Sequence, residues 1–209
     1  AHPLPLVVDP VMVATSGDPL LAAGALEVYR DLVFPHALLL TPNLPEAAML
    51  TGRRVESEAE MKEAALEIRN QGPKAVLVKG GHAAGRVAKD LLFDTGGTFH
   101  WLEAPLEDFG GQEVHGSGCT LSAAITAFLA QGDGLLEACG KAKRYVTGAI
   151  QRSVAPGKGA VGDVLGDSRH QPLGRAALGG KARRPGGGEM HGGSPGKRKC
   201  HMTLFRLRR

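Results

Sequence analysis

Short apolar runs alternate with longer amphipathic segments along the first 150 residues. Continuous apolar runs, bounded by turn or polar residues, lie at residues 4–8, 37–40 and 75–78, and the third predicted strand extends to Lys79. Such runs are typical of strands buried on both faces of a parallel sheet. Residues 87–93 and 98–102 flank a turn rich in Asp and Gly and predict a hairpin.

The segments between these runs predict helices. Residues 20–33 are amphipathic, with Leu21, Ala25, Val28 and Leu32 on one predicted face. Asn43 with Glu46 three residues later has the pattern of a capping box and predicts a helix ending near residue 52. Further helices are predicted over 58–71, 121–131 and 135–152.

Strands that alternate with helices predict an α/β fold with a mainly parallel sheet covered on both faces. Ligands of such sheets bind beyond the carboxyl ends of the strands. Asp9, Asn43 and Lys79 each follow or end a predicted strand. The sequence therefore predicts a ligand site where these polar groups meet.

The sharpest local motif is the stretch His115-Gly116-Ser117-Gly118-Cys119-Thr120, directly before a predicted helix. The glycines let backbone approach a ligand closely, and a helix start offers free N–H groups to an anion. A thiol at a helix start tends towards a low pKa, so Cys119 could orient or deprotonate an attacking hydroxyl. A plain glycine-rich turn with a half-buried cysteine fits the same residues.

Composition narrows the classes of protein. The 209 residues are 43% hydrophobic and 22% charged, with three cysteines, which favours a reduced, cytoplasmic protein without a disulfide framework. The sequence has no apolar run long enough to cross a membrane. Residues 167–209 hold 11 Lys or Arg against 2 Asp or Glu. We therefore predict a folded domain over 1–165 and a basic Gly/Arg-rich, disordered tail over 166–209.

Four motifs in order give the chain a specific resemblance. From about residue 6 to 159 it resembles the hydroxymethylpyrimidine/phosphomethylpyrimidine kinases of thiamine biosynthesis, within the ribokinase-like superfamily. The motifs are Asp9-Pro10-Val11-Met12 with Ser16-Gly17-Asp18-Pro19, then Thr41-Pro42-Asn43-Leu44-Pro45-Glu46, then Lys79-Gly80-Gly81-His82, and finally Gly116-Ser117-Gly118-Cys119.

The resemblance implies a three-layer α/β/α ribokinase-like fold and ATP-dependent transfer of a phosphoryl group to a pyrimidine alcohol, then to its monophosphate. It implies that Gly116, Ser117 and Gly118 form the anion hole and that Cys119 is the catalytic base. It further implies that Asp9 and Glu46 hold Mg²⁺ through water. Asn43, Lys79 and Gly81, with these two carboxylates, would then contact the nucleotide.

Simpler roles fit several of these residues. Asn43 and Glu46 could form a helix cap alone, Asp9 could only end its strand, and Lys79 could be a solvated charge. His82 and His115 are expected as turn residues, and Cys139 as a core residue. No zinc-type cluster of His and Cys is apparent in the sequence.

The chain also departs from the family pattern. Strands that open the family fold have no counterpart before residue 6, so we expect the N-terminal part of that fold to be missing. The break after Gly159 suggests a shifted reading frame, with a nucleic-acid-binding arm as the less favoured explanation. A pyridoxal or pyridoxine kinase, and an inert nucleotide-binding fragment, are the alternative functions. A homodimer is possible, as in many ribokinase-like proteins.

Overall fold

A computed structural model describes residues 5–12, 20–21, 24–81, 87–105 and 116–152, together with the backbone of 203–206. One six-stranded sheet runs through this part of the chain, in the order β5-β4-β3-β2-β1-β6. The strands are β1 (Leu6–Asp9), β2 (Ala37–Leu40), β3 (Val76–Lys79), β4 (Val87–Phe93), β5 (Phe99–Pro105) and β6 (Thr203–Arg206).

The first three strands are parallel to one another, as predicted. The predicted hairpin is also present, because β4 is antiparallel to both β3 and β5. The strand β6 pairs antiparallel with β1 at the other edge. Four of these six strands therefore point the same way in a mixed sheet.

The helices form two layers, one on each face of the sheet. Adjacent residues of a strand point to opposite faces, so the apolar pair Val7 and Val8 divides between two cores. This alternation explains why the strands are apolar without interruption. The helices are α1 (Ala25–Leu32), α2 (Leu44–Thr51) and α3 (Glu58–Arg69) on one face, and α4 (Ser117–Ala130) and α5 (Leu135–Gln151) on the other.

Helix α1 differs from its prediction in length and orientation. It begins at Ala25, and Leu26 and Tyr29 pack against the core. Val28 and Leu32, which were predicted to face inward, are 53% and 67% exposed. The guanidinium of Arg30 donates to the carbonyl of Leu50 at 2.8 Å, which fixes the rotation of the helix.

The described part of the tail is short. We expected no regular structure after residue 166, and Thr203–Arg206 forms strand β6 against β1. The remainder of the tail, and residues 153–165 of the predicted domain, lie outside the described residues. Among the described residues, no helix is long and apolar enough to span a membrane.

Candidate functional site

The carboxyl ends of β1, β2 and β3 meet at one edge of the sheet. Asp9 ends β1 and Lys79 ends β3, while Asn43 lies three residues after β2 and forms a parallel bridge with Lys79. The Lys79 N–H donates to the carbonyl of Pro42 at 2.8 Å, which joins the chain after β2 to the end of β3. Parallel strand order thus brings three predicted site residues together, as expected.

Asp9 and Lys79 form a buried ion pair at this edge. The Lys79 ammonium donates to Asp9 Oδ1 at 2.7 Å, and their side chains are 12% and 1% exposed. The hydroxyl of Thr41 lies 3.2 Å from the same carboxylate oxygen. Asp9 Oδ2 is buried and has no hydrogen-bond partner among the described residues. Because an unpaired buried carboxylate oxygen is costly, this atom is suited to meet a ligand.

Asn43 and Glu46 form the predicted capping box of α2. The Glu46 N–H donates to Asn43 Oδ1 at 2.8 Å, and the Asn43 N–H donates to Glu46 Oε2 at 2.7 Å. Glu46 is buried, and burial raises the pKa of its carboxyl to about 7 even though the positive charge of Lys79 opposes the shift. Asp9 adds to the rise, so the two carboxylates are close enough to repel.

Helix α4 begins inside the glycine-rich motif, four residues before its predicted start. Gly116 is the N-cap in the left-handed region, with φ of 80°, and no side chain caps the helix. The N–H groups of Ser117, Gly118 and Cys119 are therefore left without intrahelical partners, as at any helix start. A Cβ placed on Gly118 would lie 3.1 Å from Lys79 Nζ, so the ion pair lies against this first turn.

The acidity of Cys119 differs from the prediction. Partial burial and the negative charge of Asp9 raise the pKa of the Cys119 thiol to about 11, although one side of the residue is exposed to solvent. The helix start was expected to lower this pKa, and burial of the thiol together with the neighbouring carboxylate reverses the balance. At neutral pH the thiol of the unliganded chain therefore keeps its proton.

A pair of hydroxyls that the sequence did not single out links the strands to α4. Thr41 Oγ1 lies 2.9 Å from Ser122 Oγ, and both residues are fully buried. Ser122 also donates to the carbonyl of Gly118 at 3.2 Å. The sequence could indicate the contact between Ser122 and Gly118, because residues four apart are neighbours on a helix. It could not indicate Thr41, which is 81 residues away from Ser122.

The remaining predicted residues have simpler outcomes. Gly81 follows β3, and no described residue comes within 4 Å of the position that a Cβ there would take. Cys139 is buried in the core as predicted. The stretch Ser16-Gly17-Asp18-Pro19, His82 and His115 lie outside the described residues. In the described part of the chain, no group of three or more His, Cys, Asp or Glu is arranged to hold a metal ion. A cation site here would thus rest on the two carboxylates Asp9 and Glu46.

Comparison with known proteins identifies the family. The family model described as phosphomethylpyrimidine kinase matches residues 1–164 of the chain. The chain belongs to the phosphomethylpyrimidine kinase family. A hydroxymethylpyrimidine/phosphomethylpyrimidine kinase of Streptomyces coelicolor is 48% identical over 160 residues, covering 77% of this chain and 58% of that protein. The thiamine biosynthesis bifunctional protein ThiED of Geobacter sulfurreducens is 46% identical over 154 residues, covering 74% of this chain and 31% of that protein.

Solved structures of related kinases share the fold. The pyridoxal kinase of Staphylococcus aureus in complex with AMP-PCP superposes with a TM-score of 0.68 at 36% identity, covering 78% of this chain and 59% of that one. The phosphomethylpyrimidine kinase of Clostridium difficile superposes with a TM-score of 0.56 at 40% identity, covering 69% and 56% of the two chains. The predicted ribokinase-like fold is confirmed, and this family member spans less than two thirds of these relatives.

Proposed function

We propose that this chain carries the catalytic part of an ATP-dependent kinase. Its substrates would be 4-amino-5-hydroxymethyl-2-methylpyrimidine and the monophosphate of that alcohol. The observation that carries the proposal is the buried Asp9 Oδ2, beside the Lys79 ammonium and the start of α4. Among the described residues, nothing hydrogen-bonds to this oxygen and no side chain caps the helix. A carboxylate oxygen, an ammonium and free backbone N–H groups are what transfer of a phosphoryl group between oxygens requires.

The chain's own groups divide the work of positioning and charge stabilisation. The N–H groups of Ser117, Gly118 and Cys119 point towards the phosphoryl group being transferred, together with the positive end of the α4 dipole. Lys79 neutralises negative charge on the triphosphate, and Gly81 allows the backbone to approach it. Asn43 orients the Glu46 carboxylate through the capping box.

The carboxylates fit a magnesium ion. Mg²⁺ is usually held in proteins by one or two carboxylates, with water and phosphate oxygens completing the octahedron. Asp9 through its unpartnered Oδ2, and Glu46 through water, would hold the ion, which when bound supplies neutralising charge to the nucleotide phosphates. A bound cation beside Asp9 would also offset the negative charge that, together with burial, raises the Cys119 pKa. Cys119 would then be better able to accept the proton of the substrate hydroxyl.

One structurally characterised relative supports nucleotide binding and also points to a second candidate substrate. Structures of Staphylococcus aureus pyridoxal kinase hold AMP-PCP or ADP, and one also holds pyridoxal. Pyridoxal is therefore the second candidate substrate for the same site. The chain is 48% identical to the Streptomyces coelicolor pyrimidine kinase and 36% identical to the Staphylococcus aureus pyridoxal kinase, which favours the pyrimidine alcohol. A cytoplasmic location and a homodimer stay predictions from the sequence.

The deciding experiment is a phosphoryl-transfer assay on the 209-residue chain with Mg-ATP and the pyrimidine alcohol, with pyridoxal as competitor. Turnover that pyridoxal does not inhibit at equal concentration is the expected result. Cys119→Ala should lower kcat by about 10²- to 10⁴-fold, as for loss of a general acid or base. Cys139→Ala is the matched control, since this thiol is buried in the core away from the site.

The alternative outcomes are distinct. Transfer to pyridoxal in preference to the pyrimidine would replace the proposed substrate by the second candidate. A folded chain that binds Mg-ATP but transfers nothing would be the inert nucleotide-binding fragment that the sequence left open.

A further inference from the structure

A second buried ion pair lies on the same face of the sheet as the candidate site. Lys143 of α5 donates to Asp90 Oδ2 of β4 at 2.6 Å, and their side chains are 11% and 4% exposed. No step of the proposed reaction uses either residue. Burial of two charges is expensive, and a pair of hydrophobic residues would often be as stable in this place. The pair therefore calls for a role beyond packing.

Its position in the sheet suggests that role. Asp90 lies directly opposite Lys79 in the register of β3 and β4, and opposite residues of paired strands share a face of the sheet. Asp90 Oδ1 accepts the N–H of Gly80, the residue after Lys79, at 3.0 Å. Lys79 thus has one carboxylate in contact with its ammonium, that of Asp9, and a second carboxylate residue, Asp90, directly opposite it on β4.

Charges of alternating sign follow one another across this face, in the order Asp9, Lys79, Asp90, Lys143. Each carboxylate has one lysine in contact, at 2.7 Å for Asp9 and 2.6 Å for Asp90. Without Lys143, the Gly80 N–H would be the one hydrogen-bond donor left to Asp90 among the described residues. A buried carboxylate in that state attracts any cation within reach, and Lys79 is directly opposite on β3.

We infer that Lys143 is a positioning residue, which occupies Asp90 so that Lys79 stays directed at Asp9 and the first turn of α4. The consequence for nucleotide binding rests on the proposed function, because it is there that Lys79 meets the triphosphate. The placement of Lys79 does not rest on it and is observable in the unliganded protein. The two partners therefore have unequal roles: Asp90 competes with Asp9 for the Lys79 ammonium, and Lys143 prevents this by pairing with Asp90.

The first test is the crystal structure of the Lys143→Met variant. Methionine keeps the length of the side chain and removes the charge. In that variant we expect Lys79 Nζ to lie within about 4 Å of an Asp90 oxygen, an ion-pair distance, and to have lost its contact with Asp9. Retention of the Lys79–Asp9 contact in that variant would overturn the inference, whatever its nucleotide affinity. Should Lys143→Met not fold, Lys143→Gln takes its place with the same expected movement.

The second test is the Kd for Mg-ATP across a small set of variants. Lys143→Met should weaken binding about tenfold, within the range of coupling between neighbours in one network. Asp90→Asn should leave the Kd within about twofold of the native value, and the double variant Asp90→Asn/Lys143→Met should recover native affinity. Neither protein has a carboxylate at position 90 that could compete for Lys79. If the pair were purely structural, Lys143→Met and Asp90→Asn would weaken Mg-ATP binding equally. Lys141→Met is the matched control, since Lys141 contacts Asp133 and Glu137 at the surface of α5.

The two proposals fail in different ways. A native chain without affinity for Mg-ATP would contradict the proposed function, while the structure of Lys143→Met would still decide the position of Lys79. A native chain that binds Mg-ATP, with Asp90→Asn and Lys143→Met equally impaired, would overturn the positioning role alone.

Discussion

Lys79 and Gly118 are neighbours across the site: the lysine ammonium occupies the space that a side chain at position 118 would need. A Cβ on Gly118 would lie 3.1 Å from Lys79 Nζ, closer than most Cβ contacts in proteins. Gly118 is not in the left-handed region of φ, unlike the N-cap Gly116. The glycine therefore serves the approach of a charged side chain to the helix start and not a special backbone conformation.

We predict that Gly118→Ala separates affinity from stability. The methyl group should push the flexible end of Lys79 away from the helix start, and the affinity for Mg-ATP should fall several-fold. Alanine is the better helix former by up to about 1 kcal/mol, so the free energy of unfolding should stay unchanged or rise. Titration with Mg-ATP and urea denaturation measure the two quantities.

Gly140→Ala in α5 is the matched control, because among the described residues its new methyl group would meet Arg144 alone, at an ordinary distance of 3.5 Å. It should leave the affinity for Mg-ATP unchanged. Equal affinities of Gly118→Ala and the native chain would show that the ammonium has room elsewhere.

Much of the fold and half of the site follow from local sequence pattern. Apolar runs located β1 to β3, and the turn rich in Asp and Gly located the hairpin of β4 and β5. Polar residues at strand ends located Asp9, Asn43 and Lys79, because parallel strands bring their carboxyl ends to one edge. The capping box of α2 was equally visible, since both of its hydrogen bonds join residues three apart.

The sequence could not supply contacts between distant segments. The pairs Thr41–Ser122 and Asp90–Lys143 join residues 81 and 53 positions apart, and no periodicity links them. The acidity of Cys119 was misjudged for the same reason, because the effect of a helix start is local and the charge of Asp9 is not. The face of α1 depended on Arg30 reaching the carbonyl of Leu50 on another helix.

Charge at Asp9 should control the acidity of Cys119. Asp9→Asn removes a negative charge that raises the Cys119 pKa and leaves the Lys79 cation, which lowers it. Both changes act in one direction, so we predict that the pKa falls from about 11 by about one unit or more. Because the thiolate is the reactive form, alkylation of Cys119 at pH 8 should accelerate about tenfold per unit.

The measurement is the rate of iodoacetamide labelling against pH, resolved by peptide mass spectrometry so that each cysteine is followed separately. Lys79→Met should shift the profile the opposite way, to higher pH. Buried Cys139 in the same digest should label slowly in every variant. An unchanged profile in Asp9→Asn would show that Asp9 does not set the acidity of Cys119.

Glu46 should make the chain less stable as pH rises from 5 to 8. Its folded pKa of about 7 lies above the ordinary value of 4.5, so the folded state holds the proton more tightly than the unfolded state. The unfolding free energy from this group is then greatest below pH 4.5 and falls as pH rises towards 7. Glu46→Gln, which keeps an acceptor for the Asn43 N–H, should gain up to roughly 3 kcal/mol over the native chain by pH 8.

Urea denaturation of both proteins between pH 5 and 8 measures this difference. Glu60→Gln is the matched control, because Glu60 occupies the same capping-box position in α3 but is only partly buried and has a lowered pKa. Its contribution titrates below this pH range, so its difference from the native chain should be constant. A constant difference for Glu46→Gln as well would mean that Glu46 is ionised throughout.

The two glycines after β3 should respond in opposite ways to the same substitution. A Cβ on Gly80 would lie 2.2 Å from the backbone carbonyl oxygen of Lys89, and backbone cannot yield as a flexible side chain can. Gly80→Ala should therefore separate β3 from β4 and lower the free energy of unfolding by about 1 to 3 kcal/mol, as for other overpacked sites. None of the described residues comes within 4 Å of that position on Gly81, so Gly81→Ala should leave stability near the native value.

The affinities of Gly80→Ala and Gly81→Ala for Mg-ATP then show which of the two glycines contacts the nucleotide. If Gly81 allows close approach of the triphosphate, Gly81→Ala should weaken Mg-ATP binding while its thermal unfolding curve overlays the native one. Gly80→Ala should instead lose affinity only in proportion to its loss of folded protein, because Gly80 acts through its N–H to Asp90 and through strand packing. Native affinity in Gly81→Ala would remove Gly81 from the nucleotide site and leave Lys79 as the contact at the end of β3.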